Sequence, residues 1–185
     1  SAIGIHWATN VDNQVVRSFV VSNQVGVLSS GSTHGEMVNN LILGNTSAGV
    51  SVNGSGNTLV ENNSMTVPSG GAGVRINSSS AGTIQNNIFL LEASDSVALV
   101  GATSGNFVDY NVYDMPTNGA FVSGFSDLRL WQLASGHDFR SALTNAAFFN
   151  TSNGDYHLLS SQGRYDPVAG NYVTVDVVNA WAIDK

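Results

Sequence analysis

The 185-residue sequence predicts an all-β solenoid, a coil in which each turn contributes three short strands. The first observation is a column of polar residues at nearly constant spacing, formed by Ser18, Asn40, Asn63, Asn87 and Asn111. The second is an apolar column three positions before each of them, formed by Val15, Met37, Val60, Ile84 and Val108. The third is a glycine-led run earlier in each repeat, such as Gly26-Val27-Leu28. Because a period of 22–24 residues is typical of solenoids, we expect about five to six coils.

Each repeat contains three β-prone runs, separated by Gly, Ser, Asn and Thr, and none of these runs is long enough to be a helix. Each strand should therefore pair in parallel with its equivalent one turn later, about 4.8 Å away. The apolar column, with a second column of Ile5, Val27, Val50, Val74 and Val97, should fill the tube. The asparagines should adopt the left-handed backbone of a tight turn and hydrogen-bond to one another.

These columns resemble the right-handed parallel β-helix repeat of pectate-lyase-like proteins, in which an asparagine ladder lies between the second and third strands. The resemblance covers residues 4 to about 114. It implies a right-handed, single-stranded parallel β-helix. Similar coils occur in polysaccharide lyases, glycosidases, epimerases, phage tailspikes and large surface proteins, so the fold does not decide the function.

The repeat pattern ends after Gly119-Ala120-Phe121-Val122, which we interpret as the start of a sixth turn in the register of Ser96. Beyond it, Ser126 is a candidate N-cap for one short amphipathic helix that Gly136 ends. Residues 155–159 and 172–178 resemble strands. We therefore predict β-helix coils over 1–122, followed by a C-terminal helix and strand cap or tail over 123–185 that packs on the β-helix.

The C-terminal part is similar to the end of many secreted bacterial β-helix proteins. The residues that carry this resemblance are Asp109-Tyr110-Asn111-Val112-Tyr113, Leu130-Trp131-Gln132, Ser135-Gly136-His137-Asp138 and Asp155-Tyr156-His157-Leu158. The resemblance implies an extracellular or cell-surface location in a bacterium or archaeon. We also expect the chain to be a fragment of a longer protein.

The composition argues against several classes of partner. Only 10% of the residues are charged, and the net charge is −7 with six Lys plus Arg. Nucleic acids and anionic membrane surfaces both require clustered basic residues, so we predict that neither is a partner. The absence of cysteine excludes disulfides and thiolate metal sites. No apolar run reaches the roughly 20 residues of a membrane-spanning helix.

The outward positions of the first strands form a candidate glycan-contact column of His6, Leu28, Ser51, Arg75 and Ala98. In the pectate-lyase-like enzymes that this coil resembles, the substrate groove runs along the same face. Lyase chemistry on a uronic acid needs a cation, a base and an acid. Arg75 is the basic residue of the column, and His6 lies three turns away, roughly 14 Å by strand spacing. We therefore predict no catalytic residue and take His6, Ser51 and Arg75 as candidate glycan contacts.

Acidic residues at the third corner form a second candidate site. Glu92, Asp95 and Asp114 supply hard oxygen ligands that could hold Ca²⁺, and no other cofactor or metal is predicted. Asp109 and Asp114 are candidates for the two carboxylates of a glycosidase, which lie about 5–9 Å apart. The histidines at positions 34, 137 and 157 have no metal-binding spacing, so we interpret them as packing residues.

These observations favour a non-catalytic structural or glycan-recognition module of an extracellular protein. Two alternatives stay open: part of a polysaccharide lyase or glycoside hydrolase acting on a plant or algal polysaccharide, and a self-assembling surface filament or layer subunit. The third strands are apolar on both sides, as in Phe19-Val20-Val21. Their outer side should be covered by the tail, by another domain or by a partner chain. The expected partners are thus polysaccharide or other domains of the same polypeptide or assembly.

Overall fold

The computed structural model describes residues 2–94, 96–101, 105–115, 119–122, 124–166, 168–173 and 176–183. Contacts divide the chain into two compact units, Ser1–Thr144 and Asn145–Lys185. The first unit is a parallel β-solenoid, which confirms the predicted fold class, and its coil count agrees roughly with the predicted one.

Three parallel sheets form the sides of the solenoid, and each holds one strand from every turn. The first sheet contains β1 (Ile3–Ala8), β4 (Val25–Ser30), β7 (Ala48–Asn53), β10 (Ala72–Asn77) and β13 (Val97–Val100). The second contains β2 (Gln14–Val16), β5 (Glu36–Val38), β8 (Leu59–Glu61), β11 (Thr83–Gln85) and β14 (Phe107–Asp109). The third contains β3 (Phe19–Val21), β6 (Leu41–Leu43), β9 (Ser64–Val67), β12 (Ile88–Leu91), β15 (Val112–Asp114) and β16 (Ala142–Leu143).

The interior is built from the predicted apolar columns. Each sheet contributes alternate residues to it, because successive side chains of a strand point to opposite faces. Met37, Val50 and Phe89 are fully buried examples from the second, first and third sheets. Gly73 makes room for this packing, since a Cβ there would lie 2.5 Å from the ring of Phe89 and 2.8 Å from the carbonyl oxygen of Ala98.

The three connections between strands differ in how much their length varies from turn to turn. From the first to the second strand, Val27 to Met37 and Val74 to Ile84 are both 10 positions apart. From the second to the third strand the distance is always 5 positions, as from Met37 to Ile42. The third corner connects the third strand of one turn to the first strand of the next, and over four turns it lengthens by one residue each time. Its successive lengths are 7, 8, 9 and 10 positions, from Val20 to Val27, Ile42 to Val50, Met65 to Val74 and Phe89 to Leu99.

This lengthening overturns the predicted register of the fifth turn. Leu99 pairs with Val74, and Val100 pairs with Arg75, so the predicted partners Val97 and Ala98 were wrong by two residues. Ala98 instead takes the place that Gly73 has in the preceding turn. The start of the sixth turn keeps the predicted register with the fifth, because Val122 forms a parallel bridge with Leu99, the same offset of 23 residues that separates Gly119 from Ser96.

The asparagine column, Asn40, Asn63, Asn87 and Asn111, is hydrogen-bonded from turn to turn. The Nδ2 and backbone N–H of Asn63 donate to Oδ1 of Asn87 at 3.0 and 3.1 Å, and Asn87 repeats the pattern to Asn111. The expected left-handed backbone lies elsewhere. The residues with this backbone are those immediately before the column, namely Arg17, Asn39, Asn62, Asn86 and Tyr110. The prediction that the column residues themselves adopt the left-handed conformation was therefore wrong.

A short helix follows the last complete turn. Helix α1 (Leu128–Ser135) begins after Asp127, whose side chain accepts from the backbone N–H of Leu130, so the predicted N-cap Ser126 was wrong by one residue. Gly136 ends the helix in the left-handed conformation, as predicted. Trp131 is buried in the same core cluster as Phe121, and the partly buried Phe125 packs against the Trp131 ring, so the helix packs on the last turns of the coil.

The second unit contains two antiparallel strand pairs. β17 (Phe148–Asn150) pairs with β18 (Asp155–Leu158), and β19 (Arg164–Asp166) pairs with β20 (Asn171–Val173). Short 3₁₀ turns span Thr151–Asn153 and Trp181–Ile183. Within this unit the Arg164 guanidinium lies 3.4 Å from the centroid of the Phe149 ring, and its Nε donates to Asp176 at 3.0 Å.

Candidate functional site

The outer side of the first sheet contains the predicted glycan-contact residues. The strand register aligns His6, Leu28, Ser51, Arg75 and Val100, so His6 and Arg75 lie on one face but three strands apart. His6 is exposed, whereas Ser51 is only 6% exposed. Arg75 is half-buried, and its guanidinium donates to the hydroxyl and carbonyl oxygens of Ser47, both at 3.4 Å. The guanidinium therefore points toward the third corner.

Sequence analysis missed two amides on the same face. Asn53 and Asn77 follow Ser51 and Arg75 by two positions, and therefore point to the same side of the sheet. Asn77 Nδ2 donates to Asn53 Oδ1 at 2.9 Å. Ser51, Asn53, Arg75 and Asn77 together form what we call the polar strip. The alternation of the strands is the signal that could have identified Asn53 and Asn77.

Two of the three candidate calcium residues, Glu92 and Asp114, lie in the described part of the chain. Glu92 is exposed, and Asp114 is a half-buried residue of β15 that pairs with Leu90. Asp95 lies outside the described residues. Among the residues that the structure describes, no three His, Asp or Glu side chains are close enough together to hold a metal ion.

The carboxylates proposed for a glycosidase belong to different sheets. Asp109 lies in the second sheet and Asp114 in the third. Asp109 is 4% exposed, and its carboxylate accepts from the backbone N–H of Tyr110 and from both the backbone and the guanidinium of Arg140. These contacts give Asp109 a structural role.

The outer side of the second sheet contains a further group of polar side chains. Gln85 Nε2 and Asn86 Nδ2 donate to the Glu61 carboxylate at 2.8 and 3.3 Å, and we call these three residues the amide cluster. One coil away, the Arg140 guanidinium lies 5.2 Å from the centroid of the Tyr110 ring. Neither contact was predicted, because Glu61 and Tyr110 each meet a partner that is distant in the sequence.

A buried carboxylate closes the end of the asparagine column. Asp138 is fully buried, and its carboxylate accepts from the Trp131 indole at 2.7 Å and from the Tyr113 hydroxyl at 3.0 Å. It also accepts from the hydroxyl of Ser141 at 2.5 Å, and that hydroxyl in turn accepts from the backbone N–H of Asn111. This carboxylate therefore connects helix α1 to the column and to the aromatic core.

Tyr113 provides a test of this buried network. Burial raises the pKa of its hydroxyl well above the usual 10.0, and the nearby Asp138 charge raises the pKa further. Because the folded pKa is raised, the stabilisation is present below pH 10 and is lost as the pH rises toward the folded pKa. Up to about 1.4 kcal/mol of stability per pH unit should be lost in this range.

We therefore expect Tyr113→Phe to weaken the pH dependence of stability above pH 10. At neutral pH the variant should be less stable by about 1 kcal/mol, because Asp138 loses a donor. Urea unfolding at several pH values between 8 and 12 measures both effects. Parallel stability curves for the variant and the natural protein would contradict the assignment of this titration to Tyr113.

The histidines have separate local partners. His34 Nδ1 lies 3.5 Å from the Asp12 carboxylate, with both side chains exposed, and His137 lies beside the Trp131 ring. In the second unit, His157 Nδ1 lies 2.6 Å from Asp155. Burial alone would raise the pKa of Asp155, but hydrogen bonds from the backbone and ring of His157 outweigh it and lower that pKa.

No helix among the described residues is long and apolar enough to cross a membrane. Comparisons with curated proteins and with solved structures found no match. A family model described as a right-handed beta helix region matches residues 3–156. This match covers most of the chain and agrees with the parallel sheets and the inward apolar columns. The protein therefore belongs to the right-handed β-helix family.

Proposed function

We propose that the chain is a non-catalytic module of an extracellular or cell-surface protein, and that it recognises a neutral polysaccharide. The observation that carries the proposal is the polar strip on the first sheet. Its two amides, Asn53 and Asn77, lie opposite each other on neighbouring parallel strands, which are about 4.8 Å apart. Hydroxyl groups of a glycan can both donate to and accept from such side chains.

The acidic residues on the second sheet support a neutral ligand. Glu36 accepts from Gln14 Nε2 at 2.8 Å, and Glu61 accepts from two amides. Asp109 is paired with Arg140. With these carboxylates engaged and a net charge of −7 on the chain, an anionic glycan gains little electrostatic attraction.

The alternatives receive less support from the same geometry. A glycosidase needs two carboxylates across one groove, whereas Asp109 and Asp114 belong to different sheets. Stacking of coils end to end needs an uncovered last turn, whereas Trp131 of helix α1 packs against Phe125 at that end. Recognition without cleavage is the function that these faces favour.

Affinity electrophoresis against pectin, alginate, neutral glucans and xylans tests the proposal, with mass spectrometry of the soluble products run in parallel, with and without Ca²⁺. We expect retardation by a neutral polysaccharide and no released oligosaccharide. The double variant Asn53→Ala/Asn77→Ala should bind at least several-fold more weakly, because it removes two amides of the polar strip. Release of oligosaccharides would replace this proposal by an enzymatic one, and no retardation by any polysaccharide would overturn it.

A further inference from the structure

The fifth turn places an aromatic residue at the corner between its second and third strands. This corner requires a left-handed residue: the first turn uses Arg17, and the next three use Asn39, Asn62 and Asn86, which tolerate that conformation. The fifth turn has Tyr110 instead, with φ at 60°. A bulky side chain in this region is strained, and such strain is concentrated at functional sites.

The surroundings of Tyr110 hold its ring in place while leaving it accessible. Asp109 accepts from the backbone N–H of Tyr110 at 2.9 Å and from that of Arg140 at 2.7 Å. The Arg140 guanidinium donates to the same carboxylate at 3.0 Å and lies over the Tyr110 ring. Tyr110 nevertheless remains 41% exposed. The corner therefore presents a fixed aromatic ring to the outside.

A second exposed ring lies three positions before Tyr110, on strand β14. Phe107 and Asp109 are two positions apart on β14, so both side chains leave the outer face. Phe107 is 45% exposed. We call Phe107, Tyr110 and Arg140 the aromatic platform. On the neighbouring strand, Gln85 pairs with Asp109, which places the amide cluster one coil away.

We propose that the aromatic platform stacks against a pyranose ring of a neutral polysaccharide, and that the amide cluster binds hydroxyls of the adjoining sugar. This inference rests on the proposed function and assigns it a stacking site. A pyranose has an apolar C–H face and a rim of hydroxyls, which match flat exposed rings beside amides. Because Asp109 balances the charge of Arg140, the platform suits a neutral sugar better than a uronate.

Isothermal titration with a soluble neutral glucan and a soluble xylan, on the full chain, tests the platform. We expect Phe107→Ala and Tyr110→Asn each to weaken binding about tenfold, because each removes one stacking ring. Phe19→Ala is the matched control, since Phe19 is 76% exposed on the third sheet, and its affinity should not change.

Tyr110→Asn also separates binding from folding. Asparagine suits the left-handed corner, so this variant should melt at the same temperature as the natural protein or higher, while it loses affinity. Weakened binding with an unchanged or raised melting temperature supports the platform. Unchanged affinity in both ring variants would overturn the platform while leaving the polar strip as the binding face.

Other outcomes are equally decisive. If the natural protein binds no polysaccharide, the proposed function fails together with the platform. If pectin or alginate binds more tightly than glucan and xylan, and salt abolishes that binding, the neutral class of ligand is wrong. Affinity lost in Phe19→Ala as well would place the ligand on the third sheet and overturn the assignment.

Discussion

Asn87→Ala should lower the free energy of unfolding by about 3 kcal/mol or more, because it leaves several buried polar groups without partners. Asn87 is fully buried and accepts from the backbone N–H and the side chain of Asn63. Its own Nδ2 donates to the carbonyl oxygens of Val60 and Gln85, both at 2.9 Å. Alanine has no polar side-chain atom, so the substitution removes all of these hydrogen bonds and leaves their partners unsatisfied.

Urea unfolding followed by circular dichroism measures this loss. The matched control is Ser18→Ala at the start of the column, where only the hydroxyl hydrogen bond to the Val16 carbonyl is removed and the side chain is not buried. This control should lose less than about 1 kcal/mol. If the two variants lose equal stability, the asparagine column does not stabilise the coil in the way that its hydrogen bonds indicate.

Asp138→Ala should destabilise the protein to a similar extent, again by about 3 kcal/mol or more. The carboxylate is the acceptor for Trp131, Tyr113 and Ser141, and all three donors lie at the closed end of the coil. Without it, the indole N–H and the phenol are left in an apolar interior. Helix α1 should then be held less firmly against the last turns of the coil.

Asp127→Ala provides the matched control for an aspartate next to the same helix. Asp127 is an exposed N-cap that accepts from Leu130, so its removal should cost only about 1 kcal/mol. Chemical denaturation gives the difference in stability, and hydrogen exchange of the helix amides reports its detachment. A cost for Asp138→Ala no greater than that for Asp127→Ala would contradict a central role for the buried carboxylate.

The fold was predictable because its determinants recur. Three columns keep nearly the same spacing over several turns. A column such as Val15, Met37 and Val60 can therefore be recognised from its spacing alone. The register of β13 was not predictable in this way. The third corner lengthens from 7 to 10 positions over the first four turns, and the glycine that marked the earlier strands is replaced by Ala98.

The candidate site was only partly predictable from the sequence. Alternation placed His6, Ser51 and Arg75 on one face, but it could not show that Ser51 is almost covered or that Arg75 bends toward Ser47. The contacts of Asp109 with Arg140, and of Tyr113 with Asp138, join residues that lie on either side of the point where the repeat ends. No period connects such pairs, so only the three-dimensional structure brings them together.

The lengthening third corner has a consequence for the design of variants. The connection from the second to the third strand keeps 5 positions in every turn, and that from the first to the second strand keeps 10 in four turns and 9 in the fifth, while the third corner grows from 7 to 10 positions over four turns. Length therefore varies most at this third corner. A peptide epitope or a recognition loop grafted there would be displayed on a rigid scaffold, at a height along the coil axis chosen in steps of about 4.8 Å.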